Sequence, residues 1–252
     1  MVETPLILVT NDDGLIAPGL QAVCAALGEL GRVVAVAPHR QRSAVSHSIT
    51  LHKPLRLDEV EPDRFLCSGT PADSVYLAFH HVLDRLPDLV VSGINQGPNL
   101  GDDVIYSGTT AGAREAMLMG VQAIACSLER GRRFNAGADV IRRIATRVLQ
   151  RGLPNGVFLN VNLPKAVESA SPWRLTTLGE RHYGREVQAL RDPRGRAYYW
   201  IGGADLGTGN VPGSDGNALD DGCVSITPVH AHNTCMKSLE ALTNWPWGDE
   251  EE

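Results

Sequence analysis

No run in the chain approaches the roughly 18 consecutive apolar residues that a membrane-crossing helix needs, so no membrane partner is expected. Cysteine pairs are missing too. Cys24, Cys67, Cys126, Cys223 and Cys235 are odd in number, far apart and never in a C-x-x-C pattern, which speaks against a zinc ribbon or a disulfide framework. Positive charge is in deficit: 23 Lys+Arg stand against 29 Asp+Glu, a net charge of −6. A broad grip on a DNA or RNA duplex is therefore not expected, although a local site can still hold a small anion. Familiar signatures are absent as well. There is no G-x-G-x-x-G after the first apolar run and no G-x-x-x-x-G-K-[ST], which disfavours a dinucleotide fold and excludes a P-loop. The lack of G-x-S-x-G demotes an esterase. No His precedes the Asp12-Asp13 pair, so an H-P-D-D deacetylase is unsupported. A receiver domain would need a phospho-accepting Asp where this chain has Asn95. The opening MVETPLILVTNDDG lacks a basic n-region and reads as a strand rather than a signal peptide. A reducing, cytoplasmic setting is expected.

What is present is the alternation of an α/β protein. Hydrophobic residues at 43% and charged residues at 21% suit a folded domain. Pro5–Thr10, Arg32–Ala37, Asp88–Ser92, Val121–Ser127 and Gly156–Val161 are short apolar runs that read as buried strands. Between them, Pro18–Leu30 carries Leu20, Val23, Cys24 and Leu27 at helical spacing, with Pro18 suited to its first turn and Gly31 to its end. Thr70-Pro71-Ala72-Asp73 starts a helix running to about His81, and Thr109–Met119 and Ala136–Arg151 are further helices. Strand and helix in turn imply a parallel sheet with helices on both faces and right-handed crossovers. Ligands then belong at the carboxyl ends of the strands, which singles out the loops after Thr10, Ala37 and Ser92.

The pattern changes after Pro164. Trp173–Leu178, Tyr183–Leu190, Arg196–Ile201 and Cys223–Pro228 read as strands, with Asp192-Pro193-Arg194-Gly195 as a hairpin turn. Gly202–Gly222 reads as a loop. The expected division is a catalytic domain over 1–165 and a hairpin-and-tail extension over 166–252, packed on the sheet or on another subunit and ending in the acidic Asp249–Glu252.

Three loops carry chemistry. Thr10-Asn11-Asp12-Asp13-Gly14 places two carboxylates side by side at a strand end, where a hard cation would hold both ionised. A turn that caps the next helix accounts for the same residues, and both readings stay open. Pro38–Ile49 (PHRQRSAVSHSI) offers hydroxyls and Arg to a ligand, or is a solvated loop. His39, His47 and His52 lack a metal-ligand spacing and read as surface or packing residues. The stretch from Ser92 to Thr110 is long, irregular and glycine-rich, and Ser107-Gly108-Thr109 opens a helix whose free N–H groups suit a phosphate. Ser68-Gly69-Thr70 faces the ligand or only caps its helix.

These segments resemble the SurE-type 5′-nucleotidase family: ILVTNDDG, VAPHRQRSAVSHSITL, CSGTPADSV, DLVVSGINQGPNLGDDVIYSGTTAGAREA, RDPRGRAYYWIGG and GCVSITPVH match in order over almost the whole chain. The resemblance implies a Rossmann-like sheet with a C-terminal hairpin and tail, and a metal-dependent phosphatase acting on nucleoside monophosphates. It implies one divalent cation per subunit, most simply Mg²⁺ or Mn²⁺, on Asp12, Asp13, Ser43 and Asn95, with Asp12 and Asp13 as the catalytic pair. Asn95, Ser107, Gly108 and Thr109 would hold the substrate phosphate, and the hairpin would make a homodimer or homotetramer. Whether water attacks phosphorus or an Asp becomes the nucleophile stays open, as does a regulator that binds phosphate without turnover. Two departures stand out: Ala44 where the family often has Gly, and His47 where it often has Asn.

Overall fold

The first strand is apolar on both sides, and burial of both its faces is what a central parallel strand requires. In the computed structural model, which describes residues 4–231, 234–243, 245 and 247, β1 (Leu6–Thr10) is buried throughout. Its side chains alternate between two cores: Ile7 and Val9 on one face, Leu6 and Leu8 on the other. Each fully buried side chain of this size contributes roughly 1.5–3 kcal/mol. The first core is closed by α1 (Pro18–Leu27) and α5 (Phe134–Arg151). The amphipathic α5 buries Phe134, Ala138, Ile141, Ala145 and Val148 at helical spacing. The second core is closed by α2 (Pro71–Leu77), continued by a π-helical turn over Ala78–Val82, and by α4 (Gly108–Leu118).

One nine-stranded sheet spans the molecule. β2 (Arg32–Pro38) and β4 (Arg64–Cys67) lie on one side of β1, and β5 (Leu89–Gln96), β6 (Ala123–Leu128) and β7 (Val157–Leu163) on the other, all parallel. β3 (Leu57–Glu61) pairs antiparallel with β4 at the edge, a hairpin the sequence pattern does not announce. The chain runs outward from β1, then restarts beside it at β5. The switch point therefore lies between β1 and β5, where a ligand crevice opens in such sheets.

The C-terminal region is less separate than the division at 165/166 implies. β13 (Val224–His230) pairs antiparallel with β7, and β8 (Trp173–Leu175) pairs with β13, so both extend the main sheet. The expected strand over 183–190 is broken into β9 (Arg181–Tyr183) and β10 (Val187–Arg191). β10 makes the predicted hairpin with β11 (Ala197–Ile201), while β9 pairs with β12 (Asp205–Thr208). The expected loop over 202–222 contains that strand and α6 (Asp215–Asp220). α3 (Asp103–Tyr106) lies inside the long glycine-rich segment, and α7 (Met236–Leu242) buries none of its residues. The tail Asp249–Glu252 lies outside the described residues. Among the described residues, no helix is long and apolar enough to cross a membrane.

Candidate active site

Asp12 leaves the end of β1 and is buried. Its loop is held by Asn11, whose amide side chain accepts from Gly14 N–H at 3.0 Å and donates to Gly14 C=O at 3.1 Å. The Thr109 hydroxyl donates to Asp12 Oδ1 at 2.5 Å from the first turn of α4. Gly108 allows that approach: a Cβ there would lie 2.9 Å from Asp12 Cβ and 3.2 Å from the Arg42 carbonyl. The small residues Ala111, Gly112, Ala113 and Ala116 let the rest of α4 lie close on the sheet. Asp13 is half-buried and more loosely held, with Gln41 Nε2 on Oδ1 and Gln96 N–H on Oδ2, both at 3.4 Å.

Burial pushes the Asp12 carboxyl up to about 6, with the Thr109 hydroxyl pulling it down and the charge of Asp13 adding to the rise. Burial raises Asp13 too, against the pull of its contacts with Gln96 and Gln41. Among the described residues neither carboxylate has a Lys, Arg or His ion-pair partner.

Asp12, Asp13, Ser43, Asn95 and Ser107 line one cavity of about 210 Å³. Asn95 is not on a free loop as the sequence suggests. β5 continues past Ser92, and a register shift against β6 puts Asn95 opposite Ser127. Its amide nitrogen donates to Gly97 C=O at 2.8 Å, which leaves the oxygen to accept a hydrogen bond or bind a cation. Ser107 caps α4, its Oγ accepting from Thr110 N–H at 3.1 Å. Gly108 and Thr109 do not line the cavity. They stand behind Asp12, and the Thr109 hydroxyl is spent on it. At the first two helical positions, their N–H groups have no acceptor within the helix.

The other candidates resolve into supports. Arg42 does not turn into the cavity: its guanidinium donates to the Ser68 and Gly69 carbonyls. Thr70 makes a reciprocal cap with Asp73, so that cluster is capping chemistry. His47 pairs with buried Glu115 at 2.7 Å and His39 contacts the Cys67 carbonyl.

Sequence reasoning missed several residues. Gln41, Gln96, Asn99, Asp103 and Tyr106 complete the cavity wall. Asp103 is tied to Arg181 at 3.0 Å and to the Tyr183 hydroxyl. Buried Asp215 accepts from the N–H groups of Gly101 and Gly179, both at 2.9 Å, and so clamps the site segment to the C-terminal region. Gly101 is left-handed at φ 49°, and a Cβ there would meet the Gly179 carbonyl at 2.5 Å. In sequence, Asp215 is one more acid in a Gly/Asp/Asn-rich stretch and gives no signal.

The family model described as "Survival protein SurE" matches residues 7–185, which include every one of these cavity residues. The chain belongs to the SurE family. A "5'-nucleotidase SurE" from Syntrophotalea carbinolica is 48% identical, over 95% of this chain and 97% of that protein. The "5'-nucleotidase SurE" of Geotalea uraniireducens is 49% identical, over 95% and 98%. The crystal structure of the SurE protein from Aquifex aeolicus superposes with a TM-score of 0.83 at 41% identity, covering 94% of this chain and 99% of that one. The Rossmann-like architecture, C-terminal hairpin included, is thus a SurE fold.

Proposed function

We propose that this chain hydrolyses nucleoside 5′-monophosphates to nucleoside and inorganic phosphate, with one divalent cation per subunit. The activity named for its relatives sets the substrate class. The cavity wall supplies the main support: two adjacent carboxylates share it with a hydroxyl and an amide, and no Lys or Arg lines it. Such a wall repels a phosphate dianion on its own. The residues fit a hard cation, because two carboxylates without a counter-charge and two neutral oxygens are the donors that Mg²⁺ or Mn²⁺ prefers. Asp12, Asp13, Ser43 and Asn95 would hold it. When bound, it supplies charge neutralisation and polarises the phosphoryl group.

The chain's own residues do the rest. Asn95 and Ser107 face the phosphate, and the N–H groups of Gly108 and Thr109 add the positive end of α4. Asp12, gripped by Thr109, is the fixed carboxylate. Asp13, with only two long contacts, is the one free to take the proton of the attacking water. The C-terminal region serves assembly: Tyr199, Trp200 and Ile201 are exposed on β11, and we assign them to a contact between copies in a homodimer or homotetramer. Light scattering on a hairpin-deleted variant reads that contact, and an unchanged oligomer refutes it. A cytoplasmic location accords with five free cysteines.

The test of the activity is phosphate release from AMP and GMP. Release should stop with EDTA and return with Mn²⁺ or Mg²⁺. Release indifferent to EDTA would remove the cation, and no release under any condition would leave a phosphate-binding regulator.

A further inference from the structure

A second cavity, of about 350 Å³, adjoins the first and shares Asp13, Gln41 and Gln96 with it. Its own lining is apolar: Ile16, Pro18 and Phe134. We propose that this groove is the nucleoside subsite, with Ile16 as the apolar ledge for the base and the Gln41 and Gln96 amides at its polar edge. The proposal rests on the phosphatase reading above and names where the rest of the substrate goes.

Three observations carry it. First, the groove and the phosphate cavity have three wall residues in common, so the organic part of a monoester seated at Asp12 and Asp13 has an adjoining hollow to enter. The large cavity on the other flank shares no residue with the active site, and the Arg181–Asp103 ion pair stands between them. Second, the chemistry fits a neutral, flat group. Among the described residues, Asp13 is the only charged one lining the groove, so a second phosphate meets no basic side chain there. A nucleobase has apolar faces and an edge of donors and acceptors, which an aliphatic ledge beside two carboxamides can meet. Third, the ledge is exposed and sits on a closed turn. Ile16 is 90% exposed, although the turn that carries it is closed by Ala17 N–H on the Gly14 carbonyl at 3.1 Å. The helix behind it lies close against β5, since a Cβ on Gly19 would lie only 1.9 Å from the Ile94 carbonyl oxygen. A large apolar side chain left in water on a hydrogen-bonded turn beside the cavity is surface that a ligand gains by burying.

The test compares AMP with ribose 5-phosphate, which keeps the phosphate and sugar and lacks the base. Ile16→Ala and Ile16→Ser are exposed substitutions and should leave the melting temperature unchanged. Both should raise KM for AMP about five- to tenfold, the scale of one lost apolar contact, while kcat/KM for ribose 5-phosphate stays as in the parent. Equal loss on both substrates, or loss on neither, overturns the subsite and leaves the phosphatase standing. A parent protein that releases phosphate from neither substrate overturns the activity, and the subsite with it.

Discussion

The two walls of the active-site cavity are built to different standards. One wall is Asp12 backed by Thr109 and Gly108, buried and in contact with no room to spare. The facing loop is pinned only behind its tip. Arg42 N–H reaches the Asp12 carbonyl at 2.7 Å, Ser46 bonds the Ile105 and Tyr106 carbonyls, and His47 pairs with Glu115. Between these anchors Ser43 and Ala44 stay exposed, and Ala44 and Ser46 both sit at φ 53°. The wall that must carry buried charge is over-determined, because a misplaced carboxylate there is costly. The wall that contributes a neutral hydroxyl tolerates looser construction. Substitutions on the first wall should change turnover and stability together, whereas those on the second should change mainly affinity.

The largest effect is expected for Asp12→Asn. Turnover should fall by at least about a hundredfold, since this removes charge from the cation site and not merely shape. The fold should survive, and the metal-free variant should be more stable than the parent at neutral pH. The sign follows from the raised carboxyl. A folded value of about 6 against 3.8 means that protonated Asp12 is favoured in the native state, so its contribution is full below about 3.8 and lost as pH rises through about 6. With EDTA present, the parent should lose on the order of 2 kcal/mol from this group between pH 4 and pH 7, and Asp12→Asn should not. Urea melts at the two pH values check this. Equal pH dependence in both proteins would mean that the buried wall stores no such strain.

The same contrast explains what could be read from the sequence. The strong wall announces itself locally: an apolar strand, a pair of acids, then a Ser-Gly-Thr helix start. The three chemical loops were legible for that reason. That the Thr109 hydroxyl donates to Asp12 was not legible, because only the sheet brings residues 12 and 109 together. Asn95 was mistaken for a loop residue because Ser92–Gln96 is polar and glycine-bearing, yet β6 pairs with it through a register shift. The β10–β11 hairpin and β13 were seen as strands while β12 was read as loop, and pattern alone does not say that β13 turns antiparallel beside β7. Asp215 was invisible, since its work is to receive N–H groups from Gly101 and Gly179, far away in the chain.

Thr109→Val sharpens the comparison on the buried wall. It keeps the shape and removes the donor to Asp12, taking away the one side-chain hydrogen bond that this buried carboxylate oxygen has among the described residues. Stability should drop by about 1–3 kcal/mol, and kcat should fall by roughly tenfold with KM for the phosphate ester little changed. Thermal melts and steady-state kinetics with AMP measure both. A variant with parental kcat would show that Asp12 is held well enough by its backbone and that the strong wall is stronger than its hydrogen bond.

Ala44→Gly probes the exposed wall and should have the smallest effect. A left-handed alanine costs roughly 1–2 kcal/mol relative to its right-handed form, and glycine removes that cost. Glycine also adds freedom to the unfolded chain, worth about 0.5–1 kcal/mol in the opposite direction. The two nearly cancel, so the melting temperature should move by no more than a degree or two. The functional effect should be an altered apparent affinity for Mn²⁺, because Ser43 loses a stiff neighbour, while kcat at saturating metal stays put. A large fall in kcat would break the comparison, since it would make the exposed loop as demanding as the wall that holds Asp12.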